Sequence, residues 1–368
     1  MLYDPAAFEA LTDEPWDEAR VRDVIAAIVA DADAAFDPHA CWPVHEWDGW
    51  EAALPLKNLY VGAAGVVFAL DDLRRPGLAE TALDLPAIAA SALERWRAEP
   101  DVVEDPADPP KCALLVGETG ILLVACRLGH HLEDDLRARI ATNLASEADD
   151  LMFGTPGTLV AAVAMGWDDL ARESADALAS RRDADGLWTQ RIWGTSFQGV
   201  GTVHGLAGNV RALLQVGDPR NESLRTESAA VLARLATRED GLANWHGDRK
   251  LQWCAGAPGI VSAARDYLDE ELLLAGAELV WRAGPPGEEK GHGICHGTSG
   301  NGFALLGAFE RTQDELWLER ARRFAMHALA QAERMPGRYS LFTGGVGTAL
   351  FAAACLDGDA RYPVLEIR

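Results

Sequence analysis

A G-x-x-G step followed by an alanine-rich apolar run occurs seven times in this 368-residue chain. The stretches are YVGAAGVVFAL, LVGETGILLVA, MFGTPGTLVAA, VHGLAGNVRAL, WCAGAPGIVSA, ICHGTSGNGFALL and LFTGGVGTALFAA. Their first glycines, Gly62, Gly117, Gly154, Gly205, Gly256, Gly297 and Gly344, stand 37 to 55 residues apart. A repeat of this kind constrains the fold strongly, because each unit is one supersecondary piece that buries its apolar face only by stacking on its neighbours. Each run has leucines and small residues at near-helical spacing, which predicts a helix opened by the glycine turn. Between the runs lie segments such as LRARIATNLASEADD and DELWLERARRFAMHALAQAE, with apolar residues at i, i+3 and i+4 and charges opposite. These read as helices with one wet face.

The alanine-rich helices are too apolar to leave a face in water, so the array is expected to close on itself rather than remain an open solenoid. The expected fold is all-α: an α/α toroid of seven helical hairpins, with an inner ring of apolar helices and an outer ring of amphipathic ones. One domain is expected over residues 1–368, with residues 1–50 as an N-terminal extension or capping helices. The tryptophan-rich CWPVHEWDGW within that extension either lines the mouth of the toroid or caps it.

Glycine in such turns serves packing first, since it lets the loop turn sharply and the helix start approach its neighbour. All seven turns should also fall at one end of the toroid, so whatever they carry converges on a central cup. Just before the first glycine, three consecutive turns carry soft or titratable side chains: His204, Cys254 and the pair Cys295-His296. The other four turns have Val61, Val116, Phe153 and Thr343 there. Two thiolates and an imidazole form a ligand set known for catalytic zinc with its fourth position open, and soft ligands select zinc over magnesium or calcium. Successive helical residues point apart, so Cys295 and His296 share one ion only if they lie in the turn before the helix, which Gly293 and Gly297 permit. The helix N-terminus would favour the anionic thiolates.

His204 fits two roles, a fourth ligand closing a structural site or an acid/base beside an open one. His292, His246 and the His130-His131 pair are read as non-catalytic. Asp149 and Asp150 end the charged face of an outer helix, where a solvated helix end is the ordinary reading; Asp150, four residues before Gly154, also lies near the cup rim.

Composition narrows the function. The formal charge of −24 argues against nucleic acid, which needs a basic patch, and suits solubility or a cationic peptide partner. The N-terminus, MLYDPAAFEALTDEPW, lacks the basic and apolar regions of a signal peptide, and no run of 18 uninterrupted apolar residues predicts a membrane span. Six scattered cysteines read as free thiols in a reducing cytoplasm.

HGLAG, WCAGAPG, GICHGTSGN and YSLFTGGVGT, in that order and together with the sevenfold pattern, resemble the lanthionine synthetase C-like proteins, which comprise bacterial lanthipeptide cyclases and their eukaryotic relatives. The resemblance covers about residues 55 to 356. It implies an α/α toroid with zinc held by Cys254, Cys295 and His296, His204 as an acid/base group, and a role for Asp150. The implied chemistry is addition of a zinc-activated thiol to the β-carbon of a dehydroalanine or dehydrobutyrine. The substrates it implies are a precursor peptide or protein bearing dehydroamino acids, or glutathione, with room for association with a dehydratase. The family's cyclases carry an arginine four residues before the WC cysteine and a tyrosine just after it; here these are Lys250 and Ala255. The wording GAPG and CHGTSGN is nearer the eukaryotic-like branch, implicated in adding glutathione to dehydroamino acids. Two competing expectations are a zinc-containing thiol- or peptide-binding module with little turnover, which Ala255 favours, and a prenyltransferase-like toroid. The absence of a basic cluster for a diphosphate counts against the latter.

Overall fold

The structure, a computed structural model, describes residues 1–49, 52–101, 112–192, 194–245, 247 and 249–366. Among the described residues, α-helices alternate between two environments along the chain. Seven are apolar on nearly every face and buried: α2 (Ala63–Arg74), α4 (Glu118–Arg127), α6 (Thr155–Ala164), α8 (Leu206–Leu214), α10 (Ala257–Ala263), α12 (Thr298–Thr312) and α14 (Gly345–Asp357). Seven are amphipathic: α1 (Glu18–Ala35), α3 (Leu85–Ala98), α5 (Glu133–Asn143), α7 (Asp168–Ser180), α9 (Asn221–Leu235), α11 (Glu270–Ala283) and α13 (Glu315–Arg334). In α13, for example, Trp317, Leu318, Ala321, Phe324, Ala325, Ala328 and Leu329 face inward at helical spacing.

Each apolar helix packs on the next in order, α2 on α4, α4 on α6 and onward to α12 on α14, and α14 packs back on α2. That last contact closes the ring. The amphipathic helices lie outside it, each against its inner neighbours, and α1 packs on α14 and α13. The N-terminal extension thus contributes α1 to the outer layer. The buried side chains form one contiguous apolar cluster. The result is the expected α/α toroid.

The repeat glycines have a common structural cause. Gly62, Gly117, Gly154, Gly205, Gly256, Gly297 and Gly344 are the N-caps of the seven inner helices. The second glycine of each step lies against the carbonyl six residues earlier, where any Cβ would collide: Gly157 on Leu151, Gly259 on Trp253, Gly300 on Ile294 and likewise around the ring. The loop therefore lies flat across the first turn of its own helix and caps it with carbonyls, as when Thr298, Ser299 and Gly300 donate to Gly291, His292 and Gly293. Outer helices α1, α3, α11 and α13 are capped instead by the side chains of Asp17, Asp84, Asp269 and Asp314.

Adjacent turns are also tied to each other. Tyr60 donates to Leu115, Phe342 to Tyr60, Cys295 to Phe342, Cys254 to Cys295, and Leu151 to Val203, all through backbone groups. The inner helix starts therefore share one end of the toroid. Two short antiparallel hairpins depart from the all-α expectation: β1 (Thr189–Ile192) with β2 (Thr195–Gln198), and β3 (Thr237–Glu239) with β4 (Leu242–Asn244). The second turns through Asp240-Gly241, both at positive φ, the combination that a tight hairpin requires.

Candidate metal centre

Cys254 and Cys295 occupy equivalent places, two residues before the capping glycines of α10 and α12, and the Cys254 amide donates to the Cys295 carbonyl at 3.4 Å. That register brings their side chains together, and His296 follows in the same turn. The two sulfurs and one imidazole nitrogen all lie within 4.8 Å of one another, with Cys295 Sγ 3.7 Å from His296 Nε2. Tetrahedral zinc, with Zn–S about 2.3 Å and Zn–N about 2.0–2.1 Å, sets such ligands about 3.5–3.8 Å apart. The Cys295–His296 separation matches that spacing, and the donor set suits that ion.

Protonation equilibria point the same way. Hydrogen bonding from Cys295 outweighs burial and, with His296 and Gln252, holds the Cys254 thiol well below its usual value. Burial, then the hydrogen bond with Cys254 and its negative charge, push Cys295 well up, eased by a hydrogen bond from Tyr60. Without further positive charge the pair retains one proton, whereas a divalent cation lets both sulfurs ionise. The amides of the first turn of α12 are already engaged by the loop carbonyls, and the hydrogen bonds to the two sulfurs come from the side chains of Gln252 and Tyr60.

Two supporting residues escaped the sequence reading. Gln252 Nε2 lies 2.9 Å from Cys254 Sγ. Tyr60, buried in the first turn, has its hydroxyl held in the protonated, donating form by burial and by the charges of Cys295 and Cys254. Gln252 stands four residues before its capping glycine, the same repeat position as Asp150, and that equivalence was the available signal.

His204 lies outside the Cys-Cys-His cluster. Its Nδ1 is 2.7 Å from Asp150 Oδ2, while Asp150 Oδ1 accepts the Phe153 amide at 2.7 Å. A carboxylate only accepts, so Nδ1 carries the hydrogen and Nε2 is the nitrogen left to exchange a proton. Burial disfavours the imidazolium, but Asp150 and the charge on Cys254 outweigh it and hold the His204 pKa above its ordinary value. Phe153 stacks on the ring at a centroid distance of 5.9 Å.

Asp150 is fully buried and Asp149 nearly so, which overturns the solvated helix end. Asp149 binds Arg181 at 2.7 Å and its backbone bonds Gln190, whereas Asp150 turns to the histidine. Of the other histidines, His292 is buried with Nδ1 on Thr348 at 2.9 Å. His130 bonds the Pro86 carbonyl, His131 is exposed beside Glu133, and His246 lies outside the described residues.

Beside the cluster opens a cavity of about 340 Å³ lined by His296, Tyr60, Thr343, Arg338, Lys290, Glu289, Trp47 and Asp48. The tryptophan-rich N-terminal stretch thus supplies part of the wall, with Trp47 over the Arg338 guanidinium at 4.9 Å and Asp48 accepting from Thr343 at 2.8 Å. Among the described residues, no helix is long and apolar enough to cross a membrane.

Comparison with known proteins follows the same lines. The chain is 28% identical to "Glutathione S-transferase LANCL1" of Danio rerio, over 69% of this chain and 73% of that one. It is 26% identical to "LanC-like protein GCL1" of Arabidopsis thaliana, over 48% of this chain and 45% of that protein. The solved structure of nisin cyclase superposes with a TM-score of 0.61 over 92% of this chain and 94% of that one; at 14% identity this likeness speaks to the fold alone. With the family description "Lanthionine synthetase C-like protein" matching residues 56–367, the chain belongs to the lanthionine synthetase C-like family.

Proposed function

We propose that this protein adds a thiol to the β-carbon of a dehydroamino acid, with zinc held by Cys254, Cys295 and His296. The observation that carries the reading is the compact Cys-Cys-His cluster, with the His204–Asp150 pair close enough for the Cys254 charge to act on the imidazole. Zinc bound there would supply a Lewis-acid position at which an incoming thiol gives up its proton near neutral pH. Attack of the sulfur on the β-carbon forms the C–S bond, and the alkene electron pair moves toward the substrate carbonyl as an enolate. His204, protonated and aimed by Asp150, returns a proton from Nε2 to the α-carbon. Tyr60 and Gln252 hold the two cysteine sulfurs by hydrogen bonds, which fixes ligand orientation.

Glutathione is the favoured thiol. The zebrafish relative is named for glutathione transfer, and Ala255 stands where the family's cyclases carry a tyrosine. The acceptor is a peptide or protein bearing dehydroalanine or dehydrobutyrine, which makes a dehydratase the enzyme that precedes this one. The test is incubation of the zinc-loaded protein with glutathione and a dehydroalanine peptide, followed by mass spectrometry. The reading expects an adduct whose rate falls by about 10²–10⁴ in His204→Ala. Stoichiometric binding of glutathione without turnover would instead establish a thiol-binding module.

A further inference from the structure

The segment after α14 folds back under the metal turns, and one side chain in it touches both. Tyr362 is buried, and its ring stacks on Trp253 at a centroid distance of 4.0 Å and 8° between planes. Its hydroxyl donates to the Ile294 carbonyl. Trp253 immediately precedes Cys254, and Ile294 immediately precedes Cys295. A single tyrosine thus grips the residue before each cysteine.

The backbone alone holds that spacing weakly. The Cys254 amide reaches the Cys295 carbonyl at 3.4 Å, the longest of the links along the ring, where Cys295 to Phe342, Phe342 to Tyr60 and Tyr60 to Leu115 measure 2.8, 3.2 and 2.9 Å. A long bond is a soft restraint, and a site tuned to one metal geometry needs its ligands fixed by packing and hydrogen bonding behind them. Tyr362 is itself fixed. Its amide donates to Glu366 Oε2 at 3.1 Å, and the Glu366 carboxylate is clamped by Arg265 at 2.8 Å and by Arg211. Phe303 of α12 packs at 4.9 Å on the tyrosine ring.

We infer that Tyr362 is a positioning residue for the metal centre, bracing the Cys254 and Cys295 turns at the separation that the ion requires. This rests on the zinc reading above and adds to it a residue far along the chain from the ligands. The experiment measures zinc affinity of the full chain by competition with a chromophoric chelator, and the absorption of the cobalt(II)-substituted protein. Wild type, Tyr362→Phe, Tyr362→Ala and Leu273→Ala are compared, the last being a buried residue of α11 whose truncation destabilises the fold without removing either Tyr362 contact.

Tyr362→Phe keeps the stack and loses the bond to Ile294; its zinc affinity should fall about tenfold, and that of Tyr362→Ala about a hundredfold. The sulfur-to-cobalt charge-transfer bands should shift in both, while Leu273→Ala keeps wild-type affinity and spectrum. Wild-type affinity and bands in both tyrosine variants would overturn the inference alone, as would an equal loss in Leu273→Ala. A wild-type chain that takes up no zinc would overturn the zinc reading and the inference with it.

Discussion

Asp149 and Asp150 are adjacent carboxylates with separate tasks, and the sequence could not tell them apart. Both carry the same charge at the end of one charged segment, and only the turn decides that Asp149 meets Arg181 while Asp150 meets His204. The three cluster residues were legible because soft ligands are rare and stood in equivalent turns. Tyr60 was not, since an aromatic in a loop carries no chemical signature until its partners are known, and Gln252 offered only its repeat position, shared with Asp150. Asp150→Asn should lower the adduct rate about a hundredfold at nearly unchanged melting temperature, whereas Asp149→Asn should lower the melting temperature with the rate retained. The pH profile adds a sign. If His204 is the proton donor, the rate falls as pH rises through its raised pKa. Removing the Asp150 charge takes away the main influence that raises that pKa, so the alkaline limb of kcat should move to lower pH in Asp150→Asn. An unmoved limb would contradict the assignment.

At the level of elements, the inner helices were readable because each is punctuated by the same two glycines, and the structure supplies the reason for both. The first caps the helix without a side chain; the second makes room for the carbonyl of a loop lying across it. Substitution at the second site should therefore be costly wherever it is made. Gly157→Ala places a Cβ 2.5 Å from the Leu151 carbonyl oxygen and should destabilise by about 1–3 kcal/mol, read as a lower denaturant midpoint. Gly217→Ala meets nothing within 4 Å and should change stability by less than about 0.5 kcal/mol. Equal effects at the two positions would refute this account of the repeat. The hairpins were missed although Asp240-Gly241 announced one, because the repeat drew every segment between glycine steps into the helical pattern. The loops that bring the cysteines together also bond the first amides of α12, so a helix start there would act on the thiolates through its dipole rather than through free N–H groups.

Across the whole molecule, closure followed from a simple balance: inner helices with no polar face can be covered only from all sides. How the chain ends are fastened did not follow, because it depends on contacts between residues more than 300 positions apart. His327 of α13 shows this. Its Nε2 meets Glu9 at 2.6 Å and its Nδ1 accepts the Thr12 amide at 3.2 Å. Burial, opposed by Glu9, lowers its pKa, so the neutral ring is the folded form. Its unfolded value is about 6.5; the contribution to stability is therefore complete above that pH and lost as pH falls through the lowered folded value. The melting temperature of wild type relative to His327→Gln should decline between about pH 7.5 and 5.5, and a constant difference would contradict the fastening role.

The task proposed for the whole toroid is to hold three side chains around one ion at its cup and leave a place for a thiol. X-ray absorption at the zinc edge, on the purified protein without and then with glutathione, tests it directly. The account predicts stoichiometric zinc with two sulfur neighbours at about 2.3 Å, rising to three when glutathione is added. A protein that holds no zinc, or a sulfur count that stays at two in saturating glutathione, would contradict it.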